Sequence, residues 1–217
     1  MPGGDDARSP AARSLAPRWP LTQGYGVRDR LLAAYADPRR GHHDLRHLAE
    51  VLDHLDVLLD EPVGPGTAEV DPDAVRLAAW FHDAVYDGRP DDEERSARLA
   101  REALTDAGVE PAVVDEVVRL VRLTATHDPG DGDRAGAVLS DADLAVLAAE
   151  PGRYAEYVSG VRREYLHVPD AEFRRGRAEV LRGLLAAPAL FRTATGRRLW
   201  EERARANVER ELGALDA

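Results

Sequence analysis

The chain has 217 residues with 29 basic and 40 acidic side chains, a formal net charge of -11, no cysteine and one methionine. The absence of cysteine excludes disulfides and thiolate chemistry, and because all 29 of those basic residues are arginines, lysine Schiff bases and lysine-dependent phosphate loops are excluded too. A sequence pI of about 5.1 argues against stable nucleic-acid binding, which draws on a basic surface, and the length suits one domain with a sizeable core.

Residues 1–20 are rich in Pro, Ala, Gly and Arg and lack an apolar segment. They read as a flexible tail, neither signal peptide nor membrane anchor. Residues 21–217 are expected to form a single all-α domain, because apolar residues recur at helical spacing and strictly alternating runs are missing. No stretch reaches the ~18 uncharged apolar residues of a membrane span, so no membrane partner and a cytoplasmic location are expected.

The first helix is predicted over 27–36. A second opens near Asp44 with Leu48, Leu52, Leu55 and Leu59 on one face, and the chain then breaks over 62–66. Asp71 and Pro72 read as an N-cap and first helical position. They open an apolar helix that contains His82 and Asp83 and ends at Gly88. Further helices are predicted over 91–107, 111–126, 140–149, 153–165, 170–185 and 197–212, and the short connections imply a compact bundle.

His82 and Asp83 stand in the most apolar run of the chain, from Val75 to Tyr86. A lone buried carboxylate there would cost several kcal/mol. With Arg76 the only arginine in the run, a bound cation is the simplest compensator. His43 and His47 share one helical face a turn apart, a spacing that suits a proton donor and a ligand at one metal. His54, ~10 Å of helix rise beyond His47, reads as a packing residue. Asp143 repeats the anomaly of an acid among apolar neighbours, whereas Ser140 or Asp141 fits an N-cap. Two histidines and two aspartates suit divalent Mn, Mg, Fe, Co or Zn, one or two ions per site.

His47, the His82-Asp83 doublet and Asp143, in that order, resemble the pattern of the HD superfamily of metal-dependent phosphohydrolases. The segments 43–47, 78–87, 92–97, 141–144 and 176–177 are similar to a small bacterial subgroup of predicted phosphohydrolases within it. The first segment also resembles the histidine signature of cyclic-nucleotide phosphodiesterases, although His42 and Asp44 replace its Tyr and Asn.

The resemblance implies an enzyme that hydrolyses a phosphate ester, of a nucleotide or another small phosphorylated metabolite. Its metal would be held by His47, His82, Asp83 and Asp143, with His43 as general acid and Asp83 also catalytic, able to bridge a second ion. His127 is the candidate for that second ion or for phosphate. Asp87 and Glu94 are candidates to hold waters or orient the histidines, and Arg177 to bind phosphate. Two other readings stay open: a non-catalytic metal- or nucleotide-binding regulatory module, and a di-iron oxygenase on the same scaffold. Substrate, metal identity and oligomeric state are not legible in the sequence.

Overall fold

The Asp44 carboxylate accepts the backbone N–H groups of Arg46 and His47 (2.9 and 3.1 Å) and so starts a helix just after His43. In a computed structural model, which describes residues 10–61 and 69–216, this is α3 (Leu45–Leu59). It is preceded by α1 (Pro10–Leu15) and α2 (Tyr25–Tyr35). It is followed by α4 (Pro72–Phe81), α5 (Asp92–Asp106), α6 (Pro111–Leu123), α7 (Arg134–Leu144), α8 (Pro151–Glu164), α9 (Asp170–Ala186) and α10 (Ala194–Asp216). The fold is all-α, 71% helical, with no strand among the described residues. The predicted break at 62–66 lies outside the described residues.

The apolar stripe of α3, Leu48, Leu52, Leu55 and Leu58, is fully buried because α4 and α7 pack against it. α6 covers the other side of α4, and α5 pairs with α6 across a turn at Gly108 (φ 74). The last helix, α10, packs on α9 and on the 3-10 turn Ala145–Ala148 that follows α7. No helix among the described residues is long and apolar enough to cross a membrane.

Three sequence expectations are corrected. The tail does not extend to residue 20: Ala12, Leu15 and Trp19 are buried, and the Trp19 ring meets Trp80 edge-on at 5.3 Å. Leu15 and Trp19 lie one helical turn apart, so one face of this segment has apolar area to bury. Residues 1–9 lie outside the described residues. The helix expected over 140–149 begins at Arg134, because Asp133 caps it through Gly136 N–H (2.9 Å). Ser140 and Asp141 are therefore interior, and Asp143 sits in the last turn instead of the first. Finally, α4 ends at Phe81, before the doublet.

If the 10–20 segment is part of the fold, Leu15→Ala should lower unfolding free energy by about 2–5 kcal/mol, read as a lower urea midpoint. An unchanged midpoint would return the segment to the status of a tail.

Candidate metal centre and its cleft

The end of α4 is set by the His82 ring. The Ala79 carbonyl, which would accept from Asp83 N–H in a continuing helix, instead accepts from His82 Nδ1 (2.8 Å), and Asp83 N–H donates to the Tyr35 hydroxyl (3.3 Å). Since a carbonyl only accepts, Nδ1 carries the proton and Nε2 faces the interior with its lone pair when the ring is neutral. The helix thus stops where both side chains can turn toward α3 and α7.

There they meet His47 and Asp143. His47 Nε2 lies 3.2 Å from His82 Nε2, 3.0 Å from Asp143 Oδ1 and 3.5 Å from Asp83 Oδ2. His82 Nε2 lies 2.9 Å from Asp83 Oδ2 and 3.6 Å from Asp143 Oδ1. Around an ion with bonds of about 2.1 Å, neighbouring ligand atoms of a tetrahedron or octahedron are about 3.0–3.4 Å apart, and these five separations bracket that range. Asp83 Oδ2 is buried without a hydrogen-bonding partner although His82 Nε2 is so near. His47, His82 and Asp143 form a buried group that could hold a metal ion, and Asp83 Oδ2 lies beside the two imidazoles.

Electrostatics agree. Burial alone would push the His47 imidazole down, but Asp143 and Asp83 raise it to about 9. Burial likewise opposes the charge on His82, which Asp83 and then Asp143 hold well above the ordinary histidine range. Burial would raise both carboxyls, yet the imidazoles, His82 first, keep Asp83 and Asp143 well below theirs. The four side chains behave as a cation-binding nest that protons fill when no metal does.

His127 joins from the turn after α6, with Nε2 3.5 Å from Asp143 Oδ2. It is the one non-glycine residue at positive φ (50°) among the described residues, a conformation that costs energy in a histidine, and its buried Nδ1 has no partner.

His43 precedes α3 and is held in place from α8. Its Nδ1 pairs with Glu164 Oε2 (2.8 Å), while Glu164 Oε1 accepts the backbone N–H groups of Gly41, His42 and His43 (2.7, 2.8 and 3.0 Å). Burial would raise this carboxyl, but the His43 pairing and the backbone donors hold it down to about 2. Tyr86 stacks on the His43 ring at 4.0 Å. Arg40, buried, donates to the carbonyls of His43 and Asp83 (2.8 Å each) and Ala84 (3.2 Å). His42 is also buried beside His47, its Nδ1 unpartnered. None of Arg40, Glu164 and His42 was assigned a role from the sequence, because their partners are distant in the chain and their types are common on surfaces.

The remaining candidates are placed elsewhere. Asp87 is exposed and paired with Arg95 (2.8 Å), and Glu94 is exposed and paired with Arg122 (2.7 Å). Neither supports the metal ligands, since the chain has turned outward after His82. Arg177 reaches the cleft but is committed to Glu211 (2.7 Å) and the Tyr157 hydroxyl (2.8 Å), so its expected phosphate role gives way to a buried ion pair. His54 bonds the Ala142 carbonyl (3.2 Å) and packs on Trp200, as a packing residue should.

All of this opens into a cleft of about 910 Å³, with His43, His82, Asp83, His127 and Asp143 at one end. Compared with models of known protein families, with curated proteins and with solved structures, the chain matches none.

The metal-free site has a pH signature. His47, raised from 6.5 to about 9, stabilises the fold fully below its unfolded value and loses that contribution as pH rises through the folded one. Metal requires deprotonated rings, so its stabilisation grows in the same window. Chelator-treated protein should lose thermal stability between pH 6.5 and 9, and added Mn²⁺ should restore more of it at the upper end. The absence of any metal effect near the upper end would remove the site.

Proposed function

We propose that the chain is a metal-dependent phosphohydrolase of the HD type, acting on the phosphate ester of a nucleotide or another small phosphorylated metabolite. The observation that carries this reading is His43. It lines the cleft beside the His47, His82 and Asp143 group and has a carboxylate of its own, Glu164 at 2.8 Å. A purely structural metal site needs no such proton donor. A divalent ion held by His47, His82, Asp83 and Asp143 would supply Lewis-acid polarisation of a phosphate oxygen and a water acidified toward neutral pH.

The chain's own residues do the rest. Glu164 holds the His43 ring in orientation through Nδ1, so that a proton carried on the ring can be donated to the leaving oxygen. Asp83 faces the same space and accepts a proton or hydrogen bond from the attacking water. Arg40 fixes the distance between the two, because one guanidinium nitrogen binds the carbonyls of both His43 and Asp83. The nitrogen and oxygen donor set accommodates Mn, Mg, Fe, Co or Zn.

A second reading, a di-iron oxygenase, draws on His127, whose Nε2 lies 3.5 Å from Asp143 Oδ2 and would help a second ion. Visible absorption from bound iron without phosphate release would favour it. Metal without either activity would leave a binding module.

Two measurements test the main reading. Phosphate release over nucleotides and sugar phosphates, with each metal added in turn, should be metal-dependent and should vanish with bound metal in Asp143→Ala. In His43→Ala, metal content should stay unchanged while turnover of esters with poor leaving groups falls about 100- to 10,000-fold, and that of activated esters far less. Glu164→Gln keeps an oxygen for the three backbone N–H groups, so it should fold normally yet lose about tenfold or more in kcat. Equal losses on both ester classes would argue against a proton-donor role for His43.

A further inference from the structure

The cleft has two chemically different halves. Beyond the metal end it is walled by Leu144 and Leu147 on one side and by α9 on the other. The α9 stripe is Phe173, Gly176, Val180, Gly183 and Leu184, with Ala187 just past the helix end. These residues recur every three or four positions, so they share one face, apolar except for Arg177, which is bound to Glu211 and Tyr157. Elsewhere in the fold such faces are buried. Val180, however, is 56% exposed while lining the cleft, and Gly176 and Gly183 face open space, where an added Cβ would meet nothing within 4 Å.

Charge narrows the occupant further. The described lining residues include the carboxylates Asp83, Glu93, Asp128, Asp143 and Glu172 against two arginines. Both arginines are already matched, Arg177 by Glu211 and Arg192 by Asp128, each at 2.7 Å. One divalent ion would be balanced by Asp83 and Asp143, and His43 is paired with Glu164. Glu93 and Glu172 remain. Among the described lining residues no arginine without an ion-pair partner is left for a second or third phosphate group.

We infer that the substrate is the phosphate monoester of an apolar alcohol, its single phosphoryl group at the metal centre and its alkyl or aryl part along α9. This assignment rests on the phosphohydrolase reading for its chemistry, but the apolar subsite is testable without turnover. The volume of about 910 Å³ lies in the range of about 300–1,000 Å³ typical of sites for small organic ligands, which favours such a molecule over a docked protein segment.

The test is calorimetric titration of the full chain, loaded with Mn²⁺, with alkylphosphonates from methyl to octyl, which cannot be hydrolysed at an ester. Affinity should rise about two- to fourfold per methylene until the apolar half is filled. Val180→Asp, at an exposed position where helix content measured by circular dichroism should be retained, should flatten that rise. Affinity independent of chain length, no binding at any length, or an unaltered rise in a folded Val180→Asp protein would overturn the assignment.

Phosphate release from the matching alkyl phosphates and from a nucleoside triphosphate separates the two readings. Chain-length-dependent binding without release would end the phosphohydrolase reading and leave the ligand class standing. Release that favours the triphosphate would do the reverse.

Discussion

Two imidazoles 3.2 Å apart, each with a nitrogen 2.9–3.6 Å from an oxygen of both Asp83 and Asp143, inside a helical core, are the constraint around which the fold is arranged. Bare, Asp83 and Asp143 would cost several kcal/mol each to bury, so the site must contain positive charge, as imidazolium protons or as a metal. Each contributing helix ends or begins to suit it. α3 starts at Leu45, which puts His47 in its first turn. α4 stops where His82 takes the Ala79 carbonyl, and α7 runs on to Leu144, carrying Asp143 to the same point. These three helices pack on one another through their leucine-rich faces, so apolar packing fixes the geometry and the polar cluster exploits it.

His43 is positioned by different means. Residues 40–43 form a loop, and a loop holds a side chain less precisely than a helix does unless its backbone is tied. Here Arg40 takes up three carbonyls and Glu164 three N–H groups. Charged groups thereby satisfy most of the loop's polar backbone. The loop also lies directly on α8: a Cβ at Gly41 would stand 2.1 Å from the Gly160 carbonyl oxygen. Glycine is required there, since backbone touches backbone. The link from Arg40 to the Asp83 carbonyl joins donor loop and metal centre in one rigid unit.

Much of the metal centre was legible because its anomaly is local. An acid inside an apolar run, as at Asp83 and Asp143, needs a compensator whatever the fold, and histidines at helical spacing supply candidates. What was missed depends on distant pairing. Glu164 bonds a residue 121 positions away, and in the sequence it is one more acid beside arginines. Arg177 looked like a phosphate ligand in an arginine-rich helix, but its partner Glu211 comes 34 positions later. Asp87 and Glu94 were credited for nearness along the chain, which ceased to mean nearness in space once the helix ended at the doublet. The start of α7 was misplaced because Asp133, behind Gly132 at φ 81, caps earlier than Ser140 or Asp141. Asp141 instead accepts from Arg192 N–H and Thr193 N–H (2.7 and 2.8 Å), joining α7 to the approach of α10.

The position of α9 follows from the same contrast between apolar and ionic contacts. Two glycines within one helix cost about 1 kcal/mol each relative to alanine, and neither Gly176 nor Gly183 approaches a neighbour closely enough to need the missing side chain. Had the α9 stripe carried larger groups, apolar attraction would have drawn the helix onto the 3-10 turn and α8 and closed the space between. Instead Arg177 binds Glu211 on α10 and the Tyr157 hydroxyl on α8, a buried bridge whose length is set by hydrogen bonds. Apolar surfaces collapse to contact, while an ion pair of fixed geometry holds two elements at a fixed separation. Breaking the pair would strand Glu211 as a buried charge, which resists both closure and separation. The arginine that the sequence offered as a phosphate ligand is better understood as a strut between α9, α8 and α10 that borders the cleft.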